Sequence, residues 1–187
     1  IFVIFKYRRQ GKIYFGFIAQ IQKERNSYCP QGQGFCQDAL EQDPQNIHGI
    51  FVLARIYLDA GDLVSARAVL DRVSATAASN FRWRLHWALL LALENKRSEA
   101  RRMMDAETLK YAEIALFAPA NAAEFFAILG EKDKALDWLD RAIRNGDDRA
   151  EWFRRDPLLA GIREHPRFKQ ILESIAYRRG QRKNSVR

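Results

Sequence analysis

The sequence predicts an all-α protein made by stacking helix–corner–helix units. Three observations predict it: small side chains recur every 34 or 35 residues, apolar residues of helical period flank each recurrence, and turn-forming residues sit between the flanks. Ala54, Ala88 and Ala123 follow the spacing, as do Ala66, Ala100 and Ala135. The turn positions Gly61, Asn95 and Gly130 repeat it again. The series Ala39, Val73, Glu107 and Ala142 keeps the period with Glu107 as its one poor member.

The first full unit is "GIFVLARIYLDAGDLVSARAVLDRV". Phe51, Ala54, Tyr57 and Leu58 have helical spacing, Gly61 ends that helix, and Ala66, Val69, Leu70 and Val73 line one face of the next. Glycine suits the corner because it takes the left-handed conformation that a Cβ resists. The middle unit, "WALLLALENKRSEARRMMDAE", has Asn95 at the corner and predicts a second helix reaching Glu107. In the third unit Ala135, Trp138, Leu139, Ala142 and Ile143 fall at i, i+3, i+4, i+7 and i+8, an apolar face opposite Lys134, Asp137, Asp140, Arg141 and Arg144. The alanines let paired helices approach closely.

The ends read differently. Residues 1–30 hold "IFVIFKYRRQGKIYFGFIAQIQKER", which suits two strands joined at Arg9 to Lys12, a degenerate repeat, or a stub of an upstream domain. From Ile13 onward a helix is favoured, since Ile13, Phe17 and Ile21 share a helical face. At the other end Asp156-Pro157 and His165-Pro166 start short helices within a segment spanning 149–177. Phe153, Leu158, Leu159, Ile162, Phe168, Ile171, Leu172 and Ile175 can cover the apolar face that the last unit of a stack exposes. Residues 178–187, polar and basic, are expected to be disordered.

These units resemble the tetratricopeptide repeat, a 34-residue helix-turn-helix element, over roughly Gln31 to Asp148 as a half-repeat plus three repeats. "ALEQDPQN", Ala39 to Asn46, looks like the Asp-Pro-x-Asn junction that closes such a unit. The departures are Gly32, Asn95 and Glu107. The segment "WFRRDPLLAGIREHPRFKQILESI" is similar to the one ending repeat arrays in bacterial multidomain regulators. The resemblance implies a short right-handed α-solenoid in a cytoplasmic, signalling-related protein, whose first helices line a concave groove for a peptide or partner protein. It places His48, Phe51, Arg55 and Asp59 of the first unit in that groove, with Arg82, Leu85 and Leu89 of the second and Phe117, Glu124 and Ile128 of the third. Arg55 and Arg82 are then available to acidic groups of a ligand. The carboxylate-gripping Lys and Asn set of one subgroup is not recognisable. The chain begins with Ile1 rather than Met, which fits either a start inside a larger chain with an upstream output domain or a start after processing.

Composition narrows the function classes. At 187 residues, 48% hydrophobic and 29% charged, the chain can bury a core. Its net charge of +8 belongs to the ends, because residues 31–175 carry 20 basic and 22 acidic side chains. No aromatic-interleaved basic groove accompanies the charge, so nucleic acid ranks behind protein as a partner. Cys29 and Cys36 are too few for a disulfide framework or a zinc site and point to a reducing compartment. No apolar run approaches the roughly 20 residues of a membrane span. Phosphate-loop, His-Glu-x-x-His and Cys-x-x-Cys signatures are missing, and His48, His86 and His165 are scattered, so no enzyme, cofactor or metal is expected. Cys36 and His86 read as packing residues, and His165 as a turn residue.

Overall fold

Four corners of identical hydrogen bonding organise the chain. Gly61, Asn95, Gly130 and Gly146 all have positive φ (73°, 61°, 76° and 101°), Asn95 being the one non-glycine with that property among the described residues. At each corner two successive N–H groups turn back onto the helix end. Gly61 N–H and Asp62 N–H donate to Leu58 and Tyr57 carbonyls, Asn95 and Lys96 to Ala92 and Leu91, Gly130 and Glu131 to Ala127 and Phe126, and Gly146 and Asp147 to Ile143 and Ala142, all at 2.9–3.1 Å. This paired closure satisfies carbonyls that a helix end leaves free. Asn95 thus does a glycine's work, asparagine being the residue that tolerates the left-handed region best after glycine.

The computed structural model describes residues 7–9, 12–14, 30–44, 46–73, 80–115 and 117–184. Strands β1 (Tyr7–Arg9) and β2 (Lys12–Tyr14) form an antiparallel hairpin in which Tyr7 pairs with Tyr14 and Arg9 with Lys12. The helix favoured from Ile13 is corrected at Ile13 and Tyr14, which lie in β2, where β-branched and aromatic side chains favour strand pairing. Phe17, Ile21 and Cys29 lie outside the described residues. The helices are α1 (Pro30–Gln42), α2 (Ile47–Ala60), α3 (Leu63–Leu70), α4 (Phe81–Leu93), α5 (Arg97–Met103), α6 (Ala106–Ile114), α7 (Ala118–Ile128), α8 (Lys132–Arg144) and α9 (Ala150–Arg155), then a 3-10 helix (Pro157–Ile162) and α10 (Pro166–Asn184). Among the described residues no helix is long and apolar enough to cross a membrane.

The repeating units are the antiparallel pairs α2/α3, α4/α5 and α7/α8. Ala54, Ala66, Ala88, Ala100, Ala123 and Ala135 are all fully buried, so each repeated alanine lies where two backbones come closest. Side-chain caps set the starts of several helices. Asn46 accepts from Gly49 N–H (2.9 Å), Asp62 from Ser65 N–H (3.0 Å) and Asn80 from Trp83 N–H (3.2 Å). First helices α2, α4 and α7 lie side by side, and α4 is the centre. Leu85, Ala88, Leu89, Leu90, Leu91 and Ala92 of α4 are all buried, the pattern of a helix enclosed on every side.

Three expectations are corrected. The second helix of the middle unit stops at Met103 instead of reaching Glu107. Asp105 starts a separate helix, α6, by accepting from Thr108 N–H (2.9 Å) while its carboxylate pairs with Arg84 of α4. Glu107, the poor member of the period, lies exposed in the first turn of α6, where the helix dipole favours an acid. Trp138 is half-buried rather than enclosed, with Arg141 over its ring at 5.3 Å. Residues 178–184 belong to α10 instead of a disordered tail, since Arg, Gln and Lys extend a helix that the buried turns before them have already nucleated.

The last segment packs on the third pair. The 3-10 helix lies on α7 and α8, and α10 on α8 and α9. Phe153, Leu158, Leu159, Ile162, Phe168, Ile171, Leu172 and Ile175 are all buried. The approach is close enough that a Cβ on Gly161 would stand 3.1 Å from the Ala127 carbonyl oxygen. Phe153→Ala is expected to cost about 3–5 kcal/mol in urea unfolding, whereas Val64→Ala, at a side chain 82% exposed, is expected to stay within about 0.5 kcal/mol. Deleting 152–175 is expected to give an aggregating or unfolded chain by light scattering and circular dichroism.

Candidate functional site

First helices α2, α4 and α7 lie side by side, and a buried charge cluster joins α2 to α7 and to the terminal segment. Arg55 of α2 is 4% exposed. Its Nε donates to Asp59 Oδ1 (2.7 Å), one terminal nitrogen to Glu124 Oε2 of α7, and the other to Asp156 Oδ2 (3.2 Å) just ahead of the 3-10 helix. The guanidinium also stands over the Trp152 ring of α9 at 5.2 Å. Four separate parts of the chain therefore meet on one side chain. Helical spacing brings Asp59 to Arg55, since residues four apart share a face. The other partners arrive through the stacking of α7 beside α4 and the return of the terminal segment.

The acids of the cluster are unequal. Asp156 Oδ1 accepts from Leu158 N–H (2.9 Å) while Oδ2 takes the Arg55 bond. Glu124 has Arg55 on Oε2 and no hydrogen-bond partner on buried Oε1. Burial pushes the Glu124 carboxyl well above the usual range; Arg55 opposes the shift and the Asp156 carboxylate adds to it. Burial works against the Arg55 charge, but Asp59, Glu124 and Asp156 outweigh it and hold the guanidinium ionised.

Beside the cluster lies an aromatic wall. Phe51 stacks on His86 with centroids 5.2 Å apart, and Arg82 stands over Phe51 at the same distance. His86 Nδ1 is 2.8 Å from the Arg82 carbonyl, so this histidine is packed within α4. Burial lowers the pKa of the Arg82 guanidinium. Arg149 closes the far end, held by both Asp147 oxygens (2.7 and 2.5 Å) and stacked against Trp152 at 4.3 Å and Phe117 at 4.7 Å. Trp152 is thus flanked by two guanidinium groups.

Of the ten residues placed in the groove from sequence, Phe51, Arg55, Leu85, Leu89 and Glu124 are buried among themselves and their neighbours. Arg55 is consequently not available to a ligand's acids, which corrects that expectation: the chain supplies those acids itself. Asp59 is half-buried on Arg55, and Arg82 and Ile128 are half-buried. Phe117 is 42% exposed ahead of α7. His48 lies on α2, its side chain outside the described set. Sequence reasoning missed Trp152, Asp156 and Arg149 as partners of this face. Asp156 was legible only as the cap before Pro157. Cys36 is buried, and His165 Nδ1 accepts from Arg167 N–H (3.2 Å) at the start of α10.

Arg55→Met is expected to lower stability by about 3–5 kcal/mol, because it leaves buried carboxylates without their counter-charge. The loss is read from the urea midpoint at neutral pH.

No curated protein and no solved structure matches the chain. The family model of the tetratricopeptide repeat does match, over residues 32–93, which takes in most of α1, the pair α2/α3 and all of α4. The corner that closes α2 inside that match recurs at the ends of α4, α7 and α8, so the chain is similar to the tetratricopeptide repeat over residues 32–93 and continues the same helix-pair pattern beyond them.

Proposed function

We propose that the chain is a non-catalytic interaction module that holds a peptide or partner protein on the accessible part of its concave side. Tetratricopeptide repeats generally mediate protein–protein interaction. The observation that carries the reading to this chain is the side-by-side placement of first helices α2, α4 and α7, which lines one continuous face. With Arg55 and Glu124 enclosed, the contact surface reduces to its rim, where Arg82, Ile128 and Phe117 are reachable. An aromatic and a cation at the edge of a packed face suit a partner that lays an apolar side chain and an acid across it. Groove docking of this kind rests on shape and a few anchors rather than on many exposed ion pairs.

A second reading has one observation in its favour. The segment 149–177 resembles the end of arrays in bacterial multidomain regulators, and it packs against the third helix pair. On that reading the module serves as the sensory or scaffolding end of a longer cytoplasmic regulator. An immunoblot of the native host with an antibody against 49–175 separates the two: a band well above 21.7 kDa favours the regulator, and a band at that mass the free-standing adaptor.

For the leading reading, a photo-crosslinking amino acid placed at Arg82 or Phe117 in the host is expected to trap a discrete protein partner, and one placed at Val64 of α3 is expected to trap none. Crosslinks confined to Val64 would overturn the concave assignment. The same crosslinked species appearing after nuclease treatment only as free nucleic acid would replace a protein partner by a nucleic-acid one.

A further inference from the structure

Two fully enclosed carboxyl groups, Glu124 and Asp156, share the Arg55 guanidinium, with Asp59 at the edge of the site. With Glu124 and Asp156 both ionised, two enclosed negative charges would face the single positive charge of Arg55. A proton on one acid removes most of that cost. Hydrogen bonding decides which acid holds it. Asp156 has a donor on each oxygen, Leu158 N–H and Arg55, and Asp59 retains some contact with solvent. Glu124 is completely enclosed and its Oε1 receives no donor. A carboxylate oxygen without a donor is the poorest place in the cluster for negative charge, and therefore the best place for a proton.

We propose that Glu124 is held as a neutral carboxylic acid in the folded protein, so that the joint between α2, α7 and the terminal segment is tied by a proton and loosens when that proton leaves.

Two further guanidinium groups stand at the edge of the cluster: Arg163 donates to the Asp156 carbonyl (2.7 Å), and Arg149 lies over the Trp152 ring at 4.3 Å. α2 presents Arg55 and Asp59, and the approach to the 3-10 helix presents Asp156. The one buried titratable group of α4 is His86, turned onto Phe51. α6 and α8 contribute no buried charged side chain among the described residues. The direction follows from linkage. A carboxyl whose pKa is raised by folding makes the native state bind more protons than the unfolded chain between the ordinary glutamate range and the raised value. Folding stability is then full below that window and declines as pH climbs through it. Ionised Glu124 would stand against the Asp156 carboxylate, which is near enough to share a proton with it, and repulsion would act on the contact that seats Trp152 over the guanidinium. The device is independent of which partner the concave rim holds.

The test uses the full chain. Thermal unfolding from about pH 5 to about pH 9 is expected to show a Tm that falls with rising pH, and Glu124→Gln, which keeps the shape without the acid, is expected to abolish that fall and to exceed the wild type at the alkaline end. Infrared difference spectra provide the second readout. A carboxylic-acid C=O stretch present at neutral pH, lost on raising the pH and missing from Glu124→Gln, is the expected result. Asp156→Asn, which retains the acceptor for Leu158 N–H, is expected to move the loss of that band to lower pH, because the like charge that raises Glu124 is gone; a move to higher pH overturns the proposal. A wild type with no carboxylic-acid band at neutral pH overturns the proposal even if Glu124→Gln fails to fold, and so does a Tm fall that Glu124→Gln leaves intact.

Discussion

The burial of Arg55 is the constraint on which the arrangement of the chain depends. A guanidinium taken out of water needs its charge and its donors matched, or the fold pays several kcal/mol for stranding it. Here the match comes from Asp59 one helical turn away, Glu124 in the third pair and Asp156 in the terminal segment. Local packing alone leaves the curvature of a stack of helix pairs adjustable. A charge that must be met from 69 and 101 residues away leaves one curvature in which every partner arrives together. Trp152 completes the enclosure by offering the face of its ring to the same cation.

Much of the architecture was legible in the sequence because it is local. The alanine spacing and the corners describe contacts within a unit or between adjacent units, and a period along the chain encodes such contacts directly. Asn95 could be read as a departure from glycine, and the structure gives it the same left-handed corner. Glu107 marked the right place for trouble without saying what the trouble was. The extra helix α6 depends on Asp105 doing two jobs, capping Thr108 N–H and pairing with Arg84, and only the first is a sequence-adjacent relation.

The site was less legible, for a related reason. Helical spacing assigns a residue to a face and says nothing of what lies across from it. Arg55 and Glu124 were correctly put on first helices, yet their mutual contact needs the position of α7 relative to α2. Exposure was therefore misjudged for the residues that matter most, since a charged side chain on a groove face reads as solvated until a partner is seen. Arg149 shows the same limit: its two oxygens on Asp147 are near in sequence, but its stacking on Phe117 is not.

The paired corners have a further meaning when set beside the Arg55 contact. An open solenoid behaves as a chain of nearest neighbours, able to fray from either end one unit at a time. Here the first helix pair is bonded to the segment that follows the last one, so loss of the terminal turn removes a partner from α2 as well as from α7. Fraying at one end is felt at the other. One contact between the first pair and the terminal segment couples units that a nearest-neighbour stack would leave independent.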